Sequence, residues 1–365
     1  MKIMTVVGAR PQFIKAATIS RVIKEKYQSE IEEVIVHTGQ HYDENMSKVF
    51  FDQLDIPKPK YNLNVANGDH GAMTGRMLEG IEAVIKKEKP NYLLVYGDTN
   101  STLAGALAAS KLHIPIVHVE SGLRAFNMKM PEEINRILTD RISNLLFCPT
   151  ETSVNNLNKE GILEGVHNSG DVMYDAAIFY GKQADKKNNI LKRLNLKSKQ
   201  YLLLTCHRSE NTDDSALLER ILKAIHTLSV KISVVFPLHP RTNKLVKKYG
   251  LGHLTKNFIN VEPLDYMDMI ALEKSAKMIL TDSGGVQKEA FFFNVPCITM
   301  REETEWVETV NMGWNKVVGA SESKIIDAYN FFSNFPPKAN NKKPYGLGNS
   351  AEKIVSQILK NFKDN

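Results

Sequence analysis

The order of apolar segments along the chain constrains its fold more than any other feature. Short runs of Val, Ile and Leu alternate with longer segments of helical character through most of the sequence. Within several runs the apolar residues follow one another with little alternation, which is typical of strands covered on both faces, as in parallel sheets. This strand–helix–strand order predicts an α/β protein with doubly wound sheets.

The pattern occurs twice, and 365 residues exceed what one hydrophobic core usually supports. The predicted strands are KIMTVV, EEVIVHT, NYLLVYG, IPIVHVE and NLLFCPT, then YLLLTC, ISVVFPL, FINVEP, AKMILT, VPCITM and NKVVGA. Predicted helices between them include SKVFFDQL, HGAMTGRMLEGIEAVIKKE and SALLERILKAIHTLSV. We predict two Rossmann-like domains facing a cleft, over residues 1–169 and 170–349, with a C-terminal helix over 350–365 that packs back on the first domain.

Charge and cysteine usage narrow the class of protein. The net charge is +6, but the lysines are scattered along helical stretches, so most belong to a solvated face and nucleic acid is not expected as a partner. A small phosphorylated substrate also suits mild positive charge. The three cysteines lie apart in strand-like runs, which indicates buried thiols in a reducing compartment and no metal site. No run resembles a membrane span or a signal peptide, so we expect a cytoplasmic protein.

Polar and glycine residues follow the predicted strands, where open α/β sheets bind ligands. Arg, His, Asp and Glu occur there more often than chance loop polarity explains, although any single one could be a cap or a turn residue. The segments are Gly8-Ala9-Arg10-Pro11, Gly39-Gln40-His41, Gly97-Asp98-Thr99, Glu120-Ser121-Gly122, His207-Arg208-Ser209-Glu210, His239-Pro240-Arg241 and Asp282-Ser283-Gly284-Gly285. The sequence therefore predicts a binding site along one edge of each sheet.

The segment Ser283-Gly284-Gly285 stands where a strand gives way to a helix. Glycines allow backbone N–H groups to approach an anion, and the helix dipole favours negative charge there, which suits a diphosphate. Glu289, about one turn into the helix, could reach a ribose hydroxyl pair. The alternative is a Ser N-cap with glycines for tight packing. Arg10 and Lys15, after the first strand, are candidates for a further phosphate contact.

Several carboxylates are candidates for proton transfer. Asp98 and Glu120 follow neighbouring predicted strands, and Glu132 and Glu133 open a predicted helix in MPEEINR. Convergent acids can raise one another's pKa, which provides a general acid or base near neutral pH. A Glu at a helix start is, alternatively, only a partner for the helix dipole. His207 could be another proton-transfer group or could stabilise a leaving phosphate, and the alternative is a structural histidine.

These motifs together resemble the non-hydrolysing UDP-N-acetylglucosamine 2-epimerases. The matching pieces, in order along nearly the whole chain, are GARPQFIKAA, GDTNSTLAGALAA, HVESGLR, MPEEINR, CHRSEN, HPRT, TDSGGVQKEA and TEWVETV. The resemblance implies two Rossmann-like domains with the site between them, as in GT-B glycosyltransferases. It also implies a homodimer, no cofactor, and a place in nucleotide-sugar metabolism and polysaccharide biosynthesis. The implied reaction inverts C2 by eliminating UDP to a 2-acetamidoglycal and adding it back.

The resemblance also implies roles for individual positions. Asp98, Glu120 and Glu132 match the catalytic acids of the family, without an assignment of base and acid, and His207 matches its catalytic histidine. The implied substrate-binding residues are Arg10, Lys15, Arg136, His239, Ser283, Gly284, Gly285 and Glu289.

The chain departs from the common family pattern in three places. Many members have TERPE where this chain has TEWVE, so Trp306 replaces an Arg on the substrate side, and Met269 replaces an aromatic that often packs near the uracil. The segment after Gln40-His41 differs from QHREML, which puts an activating second UDP-sugar site in doubt. The wording TEWVETV and FNMKMPEE is closer to the subgroup acting on UDP-2,3-diacetamido-2,3-dideoxyglucuronate. The carboxylate of that sugar could pair with Arg301, Lys129 or Arg241.

Other functions remain as alternatives. A GT-B glycosyltransferase would share the UDP site but need an acceptor, and a hydrolysing relative would release free N-acetylmannosamine and UDP. A binding-only module would not need convergent carboxylates. A nucleic-acid binder rests on charge alone and lacks the expected stacking aromatics.

Overall fold

The computed structural model of the protein describes residues 1–39, 56–66, 68–187, 189–338 and 342–364. Contacts divide the chain into two compact units: unit 1 is Met1–Ala176 with Lys343–Asn365, and unit 2 is Ala177–Lys342. The sequence-based boundaries lie a few residues away, after 169 and 349. The predicted helix SKVFFDQL and the segment after Gly39 that begins with Gln40-His41 lie outside the described residues.

Unit 1 contains a parallel sheet with Rossmann-like strand order. Its strands are β1 Lys2–Val7, β2 Glu32–His37, β3 Tyr61–Asn62, β4 Tyr92–Tyr96, β5 Ile116–Val119, β6 Leu145–Cys148 and β7 Val166–Asn168. They lie in the order β3-β2-β1-β4-β5-β6-β7, and all neighbours are parallel. From β1 the chain adds strands first on one side, as β2 and β3, and then on the other, from β4 onward. Such sheets bind ligands at this winding reversal, between β1 and β4.

Unit 2 repeats this arrangement. Its strands are β8 Tyr201–Thr205, β9 Ser233–Pro237, β10 Ile259–Val261, β11 Met278–Thr281, β12 Cys297–Thr299 and β13 Asn315–Val317. Their order is β10-β9-β8-β11-β12-β13, again entirely parallel. The reversal here lies between β8 and β11, so the ends of these two strands mark the expected ligand position of unit 2.

Helices connect the strands in both units. In unit 1 they are α1 Arg10–Val22, which continues as a π-helical turn over Ile23–Tyr27, then α2 His70–Glu88, α3 Asn100–Lys111, α4 Pro131–Ile142 and α5 Glu151–Lys159. Helix α6 Val172–Lys187 crosses the division between the units. The rest are α7 Ile190–Arg193, α8 Ser209–Thr212, α9 Ser215–Ser229, α10 Pro240–Lys248, α11 Gly252–Thr255, α12 Tyr266–Ser275, α13 Gly284–Phe292, α14 Val307–Asn311, α15 Glu322–Asn334 and α16 Ser350–Asp364.

Helix α9 illustrates how the sequence determines these elements. Asp214 precedes it and accepts hydrogen bonds from the backbone N–H of Ala216 and Leu217, which satisfies donors that a helix start leaves free. Leu218, Ile221, Leu222, Ile225 and Leu228 recur at helical spacing, and all are buried in the core of unit 2. The apolar stripe therefore fixes which face of α9 packs against the sheet.

The last helix belongs to unit 1. In α16, Ile354, Val355 and Ile358 are buried, and the helix packs against α1. Its start is held by Asp175, whose Oδ2 accepts a hydrogen bond of 2.8 Å from the backbone N–H of Ala351. Unit 1 is thus built from both ends of the chain.

The α/β prediction is confirmed, and every predicted strand is present. Strands β4 and β8 are buried along their whole length, as their continuous apolar runs indicated. Strands β3 and β7 were not predicted, because each has only two or three residues and no apolar run. All three cysteines are free and buried. None of the helices in the described residues is long and apolar enough to cross a membrane.

Candidate active site

The loop after β1 lies at the winding reversal of unit 1. At Gly8 an added Cβ would lie 2.1 Å from Ser101 Oγ and 2.2 Å from Thr38 Oγ1, so only glycine fits there. Arg10 begins α1 and is partly exposed, and Lys15, one turn further, is buried. The loop therefore presents Arg10 at the edge of the sheet and directs Lys15 inward.

Lys15 forms a close ion pair with Glu120, and both side chains are more than nine-tenths buried. Glu120 follows β5 with a φ of 72°, a left-handed conformation that non-glycine residues rarely adopt and that is common at functional sites. Gly97 borders the pair: an added Cβ there would lie 3.1 Å from Lys15 Nζ and 3.5 Å from Glu120 Oε2. The ends of β1, β4 and β5 thus bring these predicted residues together.

Asp98 is the second predicted acid with a cationic partner. Its Oδ2 lies 2.6 Å from an Nη of Arg136, and about a third of its side chain is exposed. Arg136 is buried and also contacts Glu133 Oε2 at 2.7 Å. Arg136 therefore holds the carboxylate of Asp98 in place from a guanidinium that Glu133 also binds. A direct contact between Arg136 and a diphosphate remains a prediction.

Glu132 and Glu133 lie in different surroundings on the first turn of α4. Glu133 is buried, and its carboxylate accepts hydrogen bonds from the backbone N–H of Ala125 and Phe126 as well as from Arg136. Glu133 is therefore a structural residue that shapes the preceding loop. Glu132 is only partly buried and lies one turn before Arg136 on the same helix.

The acids of unit 1 have the features that proton-transfer chemistry needs. Asp98 and Glu120 follow neighbouring strands, and each is held by a cation from a different helix. Carboxylates held in fixed positions can accept or return a proton in a defined direction. Two such groups suit a reaction that moves a proton at two faces of one carbon.

In unit 2 the buried Asp282 organises the winding reversal. Its Oδ2 accepts hydrogen bonds of 2.9 Å from the backbone N–H of both His207 and Arg208, and His207 Nδ1 lies 3.5 Å from Oδ1. The ring of His207 is partly exposed and stacks on His239, with centroids 5.6 Å apart. The predicted residues His207 and His239 are therefore neighbours at the ends of β8 and β9.

The start of α13, where the sequence predicts a diphosphate site, has no side-chain cap. Ser283 precedes the helix, but its side chain makes no capping hydrogen bond. An added Cβ at Gly284 would lie 3.2 Å from Trp306 Nε1, whereas one at Gly285 would meet only Ser283 Oγ, at 3.9 Å. The N–H groups of this turn thus lack the usual side-chain cap, and Gly285 borders open space.

Glu289 lies inside the fold of unit 2. It is 5% exposed, and its Oε1 accepts a hydrogen bond of 3.0 Å from the hydroxyl of Tyr266. Burial and the neighbouring Glu289 raise the pKa of Tyr266 well above its usual value, so this hydroxyl stays a donor. A contact between Glu289 and a ribose remains a prediction.

Trp306 and Met269, which depart from the family pattern, are at least partly buried, and two of the three cations considered for a uronate carboxylate are paired with acids. Trp306 is buried, with its ring 4.0 Å from Lys288 Nζ. Arg301 lies 3.0 Å from Glu305, and Arg241 pairs with Asp213. Met269 packs partly buried in a core cluster of unit 2, and Lys129 is exposed.

Two residues of the site architecture were not assigned a role from the sequence. Asp282 lies in the segment Asp282-Ser283-Gly284-Gly285, and its position directly after β11 is the signal that could have indicated a role in the site. Gln12, 1% exposed, accepts from the backbone N–H of Gly8 and Ala9 with Oε1. Its amide also donates to the carbonyl of Tyr96. Nothing in the sequence pattern distinguishes such a glutamine from a surface residue of α1.

Comparison with known proteins identifies the family. The family model described as UDP-N-acetylglucosamine 2-epimerase matches residues 24–359. A UDP-N-acetylglucosamine 2-epimerase homolog of Methanococcus maripaludis is 54% identical over 366 residues, covering 99% of this chain and 100% of that protein. UDP-2,3-diacetamido-2,3-dideoxy-D-glucuronate 2-epimerase of Pseudomonas aeruginosa is 50% identical over 365 residues, covering 99% and 100%. The crystal structure of Methanocaldococcus jannaschii UDP-GlcNAc 2-epimerase in complex with UDP-GlcNAc and UDP matches with a TM-score of 0.91 at 45% identity, covering 99% and 100%. The chain belongs to the UDP-N-acetylglucosamine 2-epimerase family.

Proposed function

We propose that this protein interconverts UDP-N-acetylglucosamine and UDP-N-acetylmannosamine by inversion at C2. The observation that carries the proposal is the pair of cation-held carboxylates, Asp98 and Glu120, at the winding reversal of unit 1. Membership of the epimerase family and similarity to an enzyme crystallised with UDP-GlcNAc and UDP support it.

The chemistry assigns different tasks to the two units. A carboxylate of unit 1, from Asp98, Glu120 or Glu132, removes the C2 proton while the C1–O bond breaks and UDP leaves with the bonding electrons. A C1–C2 double bond forms, which gives a 2-acetamidoglycal. A proton is then delivered to the opposite face of C2, and the UDP oxygen bonds again to C1. Two faces require two proton-handling groups, which Asp98 and Glu120 can provide.

Unit 2 holds the UDP in this proposal. The segment Ser283-Gly284-Gly285 binds the diphosphate, chiefly through the backbone N–H groups of Gly284 and Gly285, since that of Ser283 donates to Thr281 Oγ1 at 2.9 Å. Glu289 binds the ribose. His207 and His239 lie beside this strand edge, and Asp282 fixes the backbone of His207. Arg10, Lys15 and Arg136 are proposed to assist from unit 1, Arg10 by direct contact with the substrate. Firm retention of UDP is needed because the leaving group must return to the same sugar.

The second candidate substrate is UDP-2,3-diacetamido-2,3-dideoxyglucuronate. It is favoured by the 50% identity to the Pseudomonas aeruginosa enzyme of that name. A uronate carboxylate needs an additional cation, and Arg241 and Arg301 are already paired with Asp213 and Glu305. Lys129, exposed before α4, is the remaining candidate of the three considered.

The experiment is a substrate panel in D2O. Each UDP-sugar is incubated alone with the protein, and products are followed by proton NMR. Epimer formation with deuterium at C2 supports the proposal, and the sugar with the larger kcat/KM is the substrate. Release of free N-acetylmannosamine would indicate hydrolysis instead. No change without an added acceptor, for either sugar, would overturn the epimerase assignment.

We propose further that the protein is a cytoplasmic homodimer that supplies a sugar for polysaccharide biosynthesis. The surface of unit 1 around α4 supports association, because Ile134 and Leu138 are 38% and 45% exposed one turn apart. Phe126 and Met128, in the preceding loop, are also exposed. Light scattering of Leu138→Glu against the wild type tests this: a dimer that becomes a monomer supports the interface, and an unchanged mass contradicts it.

A further inference from the structure

Three consecutive main-chain carbonyls in the loop that carries Asp98 are each held by a buried side chain. The carbonyl of Tyr96, the last residue of β4, accepts a hydrogen bond from Gln12 Nε2 at 2.9 Å. The carbonyl of Gly97 lies 2.7 Å from His118 Nε2, and the carbonyl of Asp98 accepts a hydrogen bond from Asn135 Nδ2 at 2.9 Å. The three donors come from α1, β5 and α4. A loop held in this way from three elements is fixed far more firmly than a surface turn.

His118 is the residue that links this loop to the rest of the site. Its ring is fully buried, and its two nitrogens face two acceptors: the carbonyl of Gly97, and Asp140 Oδ1 at 2.7 Å. A carbonyl oxygen cannot donate, so Nε2 carries a proton. Asp140 Oδ2 accepts from an Nη of Arg124 and from the backbone N–H of Gly122. His118 therefore connects the carbonyl of Gly97 to the carboxylate of Asp140 through its two ring nitrogens.

A series of paired side chains extends from His118 to the surface of unit 1. Asp140 is paired with both His118 and Arg124, and Arg124 is paired in turn with Glu160 at 2.7 Å. Burial alone would raise the pKa of Asp140, but the charges of His118 and Arg124 outweigh it and hold that pKa below its usual value. Cys148, on the adjacent strand β6, is kept as a thiol because burial raises its pKa to about 12.

The network joins the two loops that carry the proposed acids. His118 holds the carbonyl directly before Asp98, and through Asp140 it holds the N–H of Gly122, two residues after Glu120. Glu120 itself is in a left-handed conformation, which persists only where the surroundings enforce it. We propose, on the basis of the proposed function, that His118 is a positioning residue that fixes Asp98 and Glu120 relative to one another.

The test compares His118→Gln with His167→Gln in the full-length chain. Glutamine carries both of its N–H groups on one nitrogen, so it cannot replace contacts that the imidazole makes through two separate ring nitrogens, to Gly97 and to Asp140. His167 lies in β7 of the same sheet, partly buried and stacked on Phe147, and is the matched control. Because small displacements of reacting groups are costly, we expect kcat of His118→Gln to fall about 100-fold. The KM for the UDP-sugar and the Kd for UDP should stay within about threefold of wild type.

This split separates positioning from a role in stability alone. If His118 only stabilised the fold, kcat per UDP-binding-competent molecule would be unchanged, and that result would overturn the inference. Asp140→Asn is the second variant, since it retains His118 and the side-chain size but removes its charged partner, and it should lower kcat with the same split. If neither variant folds, His118 is a folding residue and the inference is wrong. A wild type without epimerase activity on either sugar would overturn the proposed function and the inference with it.

Discussion

At the scale of single residues, the site is defined by how each acid is held. Asp98 and Glu120 each have a cationic partner. Glu133 shares Arg136 with Asp98, but backbone N–H groups also hold its carboxylate. Glu132 and Glu133 thus have different surroundings although they are adjacent on one helix turn, because Glu132 is partly exposed and Glu133 is buried. The chemistry depends on these local environments more than on the number of acids present.

Replacement of Glu120 by glutamine should abolish most of the turnover. The amide keeps the size of the side chain but cannot act as a proton acceptor, so we expect kcat to fall by about 10²–10⁴-fold. Deuterium incorporation at C2 of the UDP-sugar, followed by NMR, measures the effect, and the Kd for UDP should change little. Glu79→Gln, on the exposed face of α2, is the control. Full activity in Glu120→Gln would remove Glu120 from the mechanism.

The thiols should be inert in the folded protein. Burial raises the pKa of both Cys148 and Cys297 to about 12, and it also raises that of Cys206 well above its ordinary value. The reactive thiolate is therefore scarce at neutral pH, and the sulfur atoms are also shielded. We expect a disulfide reagent at pH 8 to label none of the three cysteines in the native chain and all three after unfolding. Rapid native labelling at any of them would contradict this.

At the scale of elements, long apolar runs were predictable and short or polar elements were not. A continuous run such as YLLLTC has one stable environment, the interior of a parallel sheet, and it became β8. Strand β7, VHN, pairs at the sheet edge without such a run, so only its partner β6 determines it. Similarly, GARP and TDSGG indicate the strand ends that carry the candidate site, but the contacts of Arg136 with Asp98 and of Asp140 with His118 depend on long-range packing that no local pattern encodes.

The connection between α6 and α16 is a testable element contact. Asp175 is buried and caps the start of α16 through the N–H of Ala351. Loss of such a cap costs about 1 kcal/mol, so Asp175→Ala should lower the free energy of unfolding by that amount. Urea denaturation followed by circular dichroism measures it. Asp69→Ala is the matched control, because Asp69 precedes α2 without a side-chain capping hydrogen bond, and its loss should cost much less.

At the scale of the whole molecule, the two units repeat one topology but present different chemistry at the equivalent position. Unit 1 places two cation–carboxylate pairs at its winding reversal, whereas unit 2 places a glycine-lined helix start without a side-chain cap there. In the proposed function, the same strand order therefore serves proton transfer in one unit and anion binding in the other. The location of both sites follows from the doubly wound topology, which the sequence predicted, while the side chains that occupy them give each its task.

This division predicts where UDP protects the chain from hydrogen exchange. Ligand bound to the folded state stabilises it by about 2.7 kcal/mol at a concentration one hundred times its Kd, and the protection is largest at the N–H groups it contacts. We expect UDP to slow exchange in peptides that contain Ser283–Glu289. In Gly285→Ala this protection and the affinity for UDP should fall at least about tenfold, because the added methyl group lies in the open space beside the helix start.

Gly252→Ala is the matched control for this experiment, since an added Cβ there meets no atom within 4 Å and lies in the same unit. Both variants should keep the melting temperature of the ligand-free wild type, because neither added methyl group displaces a neighbour. Protection by UDP that centres on Gly8–Lys15 and leaves α13 unchanged would place the nucleotide in unit 1. The diphosphate site proposed at Ser283–Gly285 would then be wrong, because UDP would protect the N–H groups that bind its phosphates.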